Sequence, residues 1–308
     1  MPFFSGALPM DQLIELIADT LVGYANWENG DTEWVTTDTG ARDNLARRCL
    51  KYTGDAADIW IALELINDTA GHDIHSDSGN YHGNGLRVTF SASWDGIAHG
   101  YPSTAPEESQ SYIPYESVTD GGSIHVDLRD LLMTYYLWVD SSGFALMAVP
   151  EANSDDNRQS SFICVVEHMA SKEYSDGLTN FYCFNQFNVG TGWANASAGA
   201  VGYRHREIVR PFAYQHLTGG IQFWSDQWYA LKSTGNGKVY FVKPVICNDS
   251  AEYQPIWQSE LFFKFSPESG LVDGDVIAVE GQTTKYICKS LASPDSTSTL
   301  YYAIKYVA

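Results

Sequence analysis

The stretch YYLWVDSSGFALMAV, residues 135–149, decides the fold class of this chain. Two runs rich in aromatic and aliphatic residues flank Asp140-Ser141-Ser142-Gly143. Aromatic and β-branched side chains favour strands, and a short polar segment that ends in glycine favours a tight reversal of the chain. The stretch therefore predicts a β-hairpin in which the two runs pair as antiparallel strands.

Strand-like runs continue at close spacing on both sides of this hairpin. They cover residues 58–65, 85–93, 123–128, 162–168, 180–187, 221–231, 238–246, 260–265, 271–279, 284–291 and 300–307. The segment STGNGK, residues 233–238, has the residue types of a hairpin turn between two of them. Closely spaced strands and turns predict an antiparallel sandwich or barrel.

Helical periodicity marks the N-terminal segment. Between Asp11 and Gly23, one face carries Leu13, Ile14, Ile17 and Leu21. This spacing predicts a short amphipathic helix that ends near the glycine. We therefore expect a mainly β fold with this one short helix, and a division into two β subdomains is left open.

The stretch NVGTGWANASAGAVGY, residues 188–203, is rich in small residues and predicts a large loop or a linker. It would separate residues 1–187, the helix and a first β domain, from a C-terminal β region at residues 204–308. One continuous domain is the alternative. Residues 67–85 and 99–122 are also predicted to be long loops, and loops of that length usually contact something, such as a neighbouring subunit.

Composition excludes several classes of protein. The 308 residues are 44% hydrophobic and 18% charged, as in folded globular chains. A formal net charge of −20 repels phosphate backbones, so we expect no direct nucleic-acid binding. We expect neither a signal peptide nor a membrane span, because the required basic and apolar segments are missing. Five scattered cysteines without a C-x-x-C pair are typical of a reducing cytoplasm.

Two pairs of residues have the residue types of acid–base catalysis, one of two aspartates and one of a glutamate and a histidine. Asp273 and Asp275 bracket a glycine, and this arrangement predicts a turn more strongly than a carboxylate dyad. Glu167 and His168 fall at a predicted strand end, and this position alone is not enough to predict an acid–base pair. Standard nucleophile and phosphate-binding motifs are missing from the sequence, so we expect no catalytic residues and no enzyme.

The loop GHDIHSDSGNYH contains three histidines and two aspartates, residue types that bind zinc and other divalent ions. The residues are His72, His75, His82, Asp73 and Asp77. Their spacing matches neither H-E-x-x-H nor an EF-hand, and a solvated loop is the favoured interpretation. Whether the loop binds an ion stays open, and we expect neither a metal site nor a cofactor.

Aromatic residues make up 14% of the chain and allow two interpretations. Trp193, Trp224 and Trp228, with Tyr229, could stack on a carbohydrate. Core packing and subunit contacts also depend on aromatic side chains, and we favour that interpretation. Contact of these tryptophans with a glycan stays an open alternative.

Three stretches together resemble a known class of proteins. They are YYLWVDSSGFALMAV at 135–149, KVYFVKPVICND at 238–249, and LVDGDVIAVEGQTTKYICKSLASPDSTSTLYYAIKY at 271–306. These stretches resemble virion structural proteins of tailed bacteriophages, which are encoded among tail, baseplate and neck genes. The shared features are a short N-terminal helix, an early strand with tryptophan, a hydrophobic hairpin and a closing hairpin near AIKY.

The resemblance implies a non-enzymatic structural subunit of the virion, made in the host cytoplasm. It implies a homo-oligomer that contacts other tail or neck proteins, and it carries over no functional residues. Two alternatives remain: a receptor- or carbohydrate-binding tail module, and a cell-wall hydrolase with a carboxylate pair.

Overall fold

The computed structural model describes residues 3–35, 46–68, 82–100, 109–118, 132–151, 158–159, 161–170, 180–188, 204–209, 231–232, 235, 238–240, 243–247, 255–292 and 299–307. Over these ranges the chain is mainly β, with antiparallel sheets and a single α-helix near the N-terminus. The predicted fold class is confirmed.

The helix α1 spans Met10–Leu21 and follows directly on the first strand. The strands are β1 (Phe3–Pro9), β2 (Trp27–Asp31), β3 (Ala46–Tyr52), β4 (Ile59–Asp68), β5 (His82–Ser91), β6 (Ser109–Val118), β7 (Leu132–Asp140), β8 (Gly143–Pro150), β9 (Arg158–Gln159), β10 (Phe162–His168), β11 (Phe181–Asn188), β12 (Arg204–Val209), β13 (Leu231–Lys232), β14 (Val239–Tyr240), β15 (Val245–Cys247), β16 (Pro255–Gln258), β17 (Phe262–Lys264), β18 (Val276–Ala278), β19 (Lys285–Ala292) and β20 (Thr299–Tyr306). A 3-10 turn lies at Pro267–Ser269.

The larger strands form three sheets. Sheet A has the order β1-β7-β8-β10-β11-β12, and sheet B has the order β2-β3-β4-β5-β6-β9. The C-terminal sheet has the order β17-β20-β19-β18. Two small hairpins, β13–β14 and β15–β16, complete the described strands.

The main core lies between sheets A and B. Alternate residues of the strands point into it, among them Leu137 and Leu146 from sheet A and Leu63 and Val88 from sheet B, all buried. The apolar face of α1 packs against the same core, and its four predicted residues are at most 1% exposed: Leu13, Ile14, Ile17 and Leu21. The predicted amphipathic helix is confirmed, and its apolar face is covered by the chain's own sheets.

The second face of sheet A is covered as well, by the C-terminal sheet. Val165 and Phe184 of sheet A share a core with Phe262 and Tyr302. The rings of Phe184 and Phe262 stack with centroids 4.9 Å apart. Sheet A is therefore the middle layer of three, and all seven residues of β10 are buried.

The hairpin predicted at 135–149 is confirmed as β7–β8. Asp140 pairs with Gly143 across a two-residue turn, and its carboxylate accepts hydrogen bonds from the Ser142 backbone N–H at 2.8 Å and the Trp138 indole N–H at 2.8 Å. The segments on either side of STGNGK pair as antiparallel strands, with Lys232 opposite Val239 in β13–β14, while most of the predicted turn itself lies outside the described residues.

The two predicted long loops are partly wrong. Strand β6 lies inside residues 99–122, and strands β4 and β5 extend into residues 67–85 from both sides. The hydrogen-bonded ladder continues through polar residues such as Asn67 and Asn84, which pair with each other. Pairing with a neighbouring strand overrides the low strand propensity of these residues.

Several predictions fall outside the described residues. They concern the strand at 123–128, most of the strand at 221–231 and, beyond the end of β11 at Asn188, the linker at 188–203. Within the described part of the chain, no helix is long and apolar enough to cross a membrane.

Candidate functional site

Glu167 and His168 are adjacent on β10 but serve different layers. Because successive strand residues point to opposite faces, Glu167 faces the C-terminal sheet and His168 faces sheet B. The two side chains do not meet. Each instead contributes to a separate polar cluster that joins two layers.

The Glu167 cluster lies between sheet A and the start of the C-terminal sheet. The Glu167 carboxylate accepts hydrogen bonds from the Tyr182 hydroxyl, from the Ser259 hydroxyl at 2.7 Å and from the Glu260 backbone N–H at 3.2 Å. Glu167 is 1% exposed. Burial raises the pKa of its carboxyl group, although the three donors and the charge of Lys305 act in the opposite direction.

The His168 cluster joins sheet A to the turn between β3 and β4. The His168 Nε2 atom lies 3.0 Å and 3.1 Å from the two carboxylate oxygens of Asp55, and Nδ1 lies 3.4 Å from the Tyr52 hydroxyl. The His168 and Tyr52 ring centroids are 4.6 Å apart. Burial and the charge of Asp55 raise the pKa of the Tyr52 hydroxyl.

The hydroxyl–imidazole–carboxylate chain of this cluster has the residue types of general acid–base catalysis. Its position argues for a structural role. Tyr52 is 6% exposed and His168 is 7% exposed, so little of either ring is open to a substrate. The His168 backbone N–H also donates to the Ser142 carbonyl at 2.7 Å, which fixes the end of β10 against the β7–β8 turn.

The third polar cluster surrounds Asp31 at the edge of sheet B. One carboxylate oxygen accepts the backbone N–H groups of Glu33 and Trp34, each at 3.0 Å. The other lies 2.8 Å from the Trp94 indole nitrogen and 2.8 Å from His99 Nδ1. Burial alone would raise the pKa of Asp31, but these hydrogen bonds outweigh it and hold the pKa below its usual value.

Tryptophans lie on the outer face of sheet B beside this cluster. The rings of Trp34 and Trp94 meet edge to face with centroids 4.9 Å apart. Arg47 lies 5.0 Å from the Trp34 ring, and Lys51 lies 5.0 Å from the Trp60 ring. Trp34 is 4% exposed, whereas Trp60 and Trp94 are half-buried, so part of two indole rings remains at the surface.

The predicted turn at Asp273 and Asp275 is confirmed. Gly274 has a φ of 84°, which favours glycine, and the two carboxylates are used locally. Asp273 accepts the Ser290 backbone N–H at 2.7 Å and pairs with Lys289 at 3.2 Å. Asp275 accepts the Val272 backbone N–H at 3.0 Å, so the two carboxylates tie the turn to β19 and to itself.

Other residues singled out in the sequence lie outside the described ranges: His72, Asp73, His75, Asp77, Trp193, Trp224, Trp228 and Tyr229. His82 is the first residue of β5. Among the residues that the structure describes, no group of three or more histidines, cysteines or acidic residues could hold a metal ion.

Sequence reasoning missed the Asp31 cluster and the outer-face tryptophans. The hydrogen bonds from the Glu33 and Trp34 backbone N–H groups to Asp31 could have been predicted, because an aspartate that accepts the N–H groups of the residues after it is a common turn signal. The partners Trp94 and His99 are 63 and 68 residues away from Asp31, and only the pairing of the sheet brings them near.

No protein-family profile, curated protein or solved structure matches the chain. Function is therefore inferred from the residues themselves.

Proposed function

We propose that the chain is a structural subunit of a tailed-phage virion, in the tail, baseplate or neck. It is made in the host cytoplasm, forms a homo-oligomer and contacts other tail or neck proteins. The resemblance of residues 135–149, 238–249 and 271–306 to such subunits supports this role. The three-layer architecture adds independent support from the geometry of the chain.

The observation that carries the proposal is the cross-tied stack of three sheets. Glu167 ties sheet A to the segment that leads into the C-terminal sheet through two hydrogen bonds, from the Ser259 hydroxyl and the Glu260 backbone N–H. On the other side, the Trp27 indole N–H donates to the Ser141 carbonyl at 3.0 Å, and the Tyr24 hydroxyl donates to the Val139 carbonyl at 3.2 Å. His168 and Asp55 add a further link.

Such ties resist sliding of one layer over another. Apolar cores are non-directional and allow small shifts, whereas buried hydrogen bonds require fixed positions of donor and acceptor. Leaving one buried partner unsatisfied costs about 1–3 kcal/mol. A rigid block suits a subunit whose role is to hold position within a particle.

The test is the content of purified particles. Particles from a host that carries the gene are separated on a density gradient, washed at high salt and analysed by quantitative mass spectrometry. We expect the chain in the particle fraction at a fixed number of copies per particle. A chain that remains in the soluble fraction, as an unrelated host protein of similar mass does, would overturn the proposal.

A second candidate function is glycan binding, favoured by the half-buried rings of Trp60 and Trp94 on the outer face of sheet B. Indole rings at a surface stack on sugars, and Arg47 lies nearby, 5.0 Å from the Trp34 ring. This function predicts binding to host-envelope glycans that Trp60→Ala abolishes and Trp60→Phe largely retains. Equal binding by wild type and Trp60→Ala would exclude this surface.

A further inference from the structure

The edges of the three large sheets differ in how they resist pairing with other chains. An exposed strand edge offers unpaired backbone groups, and proteins block such edges with short strands, charges, bulges or coverings. In the C-terminal sheet both edge strands, β17 and β18, are three residues long. In sheet B, β9 pairs with only two residues of β6, and the rest of that edge is β6 itself, which carries Pro114 and a register shift. At the other edge, β2 carries Glu28 and a bulge between Asn29 and Asp31.

The two edges of sheet A are unequal. The edge strand β12 has the sequence RHREIV, in which Arg204, Arg206 and Glu207 are charged. The opposite edge strand, β1, has the sequence FFSGALP and carries no charge. Its seven residues pair with β7 in one continuous register from Phe3–Trp138 to Pro9–Leu132, without a bulge.

Strand β1 is also open at its centre. Ser5, Gly6 and Ala7 are exposed, while Phe4 and Leu8 on either side are half-buried against the main core. Within the described residues, β1 has a strand neighbour on one side only. Among the edge strands that the structure describes in the three large sheets, β1 is thus long, regular and uncharged, whereas the other edges are short, bulged or charged.

We propose that β1 is a self-association edge, which pairs antiparallel with β1 of a second copy of this chain and joins two copies of sheet A. This inference rests on the proposed role as an assembling subunit and names the surface that assembles. The net charge of −20 makes most approaches of two copies repulsive, whereas an uncharged edge permits close contact there. Backbone pairing of edge strands is a common mode of association.

The sequence of β1 suits pairing with itself about Gly6. A two-fold axis at Gly6 places Phe4 of one copy opposite Leu8 of the other, and the same contact occurs twice. Phe4 and Leu8 lie on the core-facing side of β1 and are only half-buried, so each contact would bury apolar surface that is open in one copy. Gly6 removes any side chain at the axis itself.

The first test compares Ala7→Lys with Val276→Lys. Both positions are exposed edge-strand positions, on β1 and β18, and both changes add one positive charge. We expect wild type and Val276→Lys to sediment at twice the 34.2 kDa chain mass, and Ala7→Lys to sediment at the chain mass. Circular dichroism spectra that match wild type show that both variants fold.

Each outcome of this test either supports or overturns pairing at β1. Loss of the dimer in Ala7→Lys alone supports pairing at β1. Equal association of all three proteins overturns the β1 inference and leaves the assembly role standing. A wild-type protein that stays at the chain mass at every concentration also overturns the inference, while the content of purified particles still tests the proposed function separately.

The second test measures the register. Opposite residues of antiparallel strands have Cα atoms about 4.5–5.5 Å apart, which is within the range of a disulfide. A Cβ at Gly6 would lie 3.6 Å from the Tyr135 ring, an ordinary contact, so Gly6→Cys should fold. We expect Gly6→Cys to form a disulfide-linked dimer on mild oxidation, above the level in wild type and in Val276→Cys. A Gly6→Cys protein that cross-links no more than Val276→Cys would contradict the pairing about Gly6.

Discussion

The carboxylate of Glu167 illustrates how single residues hold the layers of this protein together. It lies among apolar side chains at 1% exposure, yet three donors from two other segments converge on it. Desolvation of a charged group costs free energy that hydrogen bonds only partly recover. Glu167 therefore fixes the position of one layer against another more than it increases stability.

The raised pKa of Glu167 predicts a specific dependence of stability on pH. Because its folded-state pKa lies above the ordinary value of 4.5, the folded protein binds this proton more tightly than the unfolded chain does. The contribution to the free energy of unfolding is complete below pH 4.5 and is lost as pH rises through the folded-state pKa. We expect Glu167→Gln to remove this decline, as measured by urea unfolding at a series of pH values.

The exposed Glu268 provides the matched control for this measurement, because Glu268→Gln makes the same chemical change at the surface. Its pH profile should follow that of wild type. A Glu167→Gln profile that parallels wild type from pH 4 to pH 8 would refute the assigned role of burial.

The partners of Glu167 and His168 could not be predicted from the sequence. The sequence places both residues at the end of a predicted strand, and that position is confirmed. Tyr182 lies opposite Glu167 on the adjacent strand β11. Ser259, however, is 92 residues from Glu167 in the sequence, and Tyr52 is 116 residues from His168. Contacts of such separation depend on the order of strands in the sheets, which local residue patterns do not encode.

At the scale of elements, the β7–β8 hairpin depends on Gly143. Its φ is 141°, and a Cβ there would lie 2.0 Å from the Val166 carbonyl oxygen on the neighbouring strand β10. We expect Gly143→Ala to lower the free energy of unfolding by about 2 kcal/mol or more, through backbone strain and this clash. Urea unfolding at neutral pH measures the change.

Gly96 is the matched position for this substitution, since a Cβ there meets nothing within 4 Å. Gly96→Ala should change the free energy of unfolding by about 0.5 kcal/mol or less. Equal effects of the two substitutions would show that the close approach of β10 to Gly143 does not constrain the hairpin.

Strands with clear alternation or aromatic runs were predictable, and strand β6 was not. Its sequence SQSYIPYESV contains few apolar residues and Pro114, which usually argues against a strand. Pro114 is accommodated beside Gly85, where the register of β5 and β6 shifts. The hydrogen-bonded ladder is interrupted at a bulge, so the N–H that proline lacks is not needed there. Pairing with β5 therefore produces a strand that local propensity opposes.

At the scale of the whole molecule, the main structural claim is that sheet A is buried on both faces. Phe184 and Phe187 lie on the same strand, and their side chains enter different cores. We expect Phe184→Ala and Phe187→Ala each to lower the free energy of unfolding by about 3–5 kcal/mol. In a two-layer sandwich, one of the two substitutions would lower the free energy of unfolding only slightly.

The exposed Val272, at 61% exposure, serves as the control, because Val272→Ala removes apolar atoms that are already in water. Val272→Ala should change the free energy of unfolding by no more than about 0.5 kcal/mol. Differential scanning calorimetry on the three variants measures these changes in stability. A small loss of stability in Phe184→Ala would contradict burial of this face of sheet A by the C-terminal sheet.

The third layer had a local signal in the sequence. The runs FICVVEH and GFALMAVP lack the polar alternation of a one-sided strand, and such continuous apolar runs are typical of strands covered on both faces. The identity of the covering layer was not predictable, because the C-terminal sheet joins the core from about 100 residues further along the chain.

The central proposal, that copies of this rigid block assemble through the edge of sheet A, is tested most directly by electron microscopy of the purified wild-type chain. The account predicts closed assemblies in which blocks are related in pairs by two-fold symmetry, joined at the edge of sheet A. Fields of single bodies of 34.2 kDa at every concentration would contradict it.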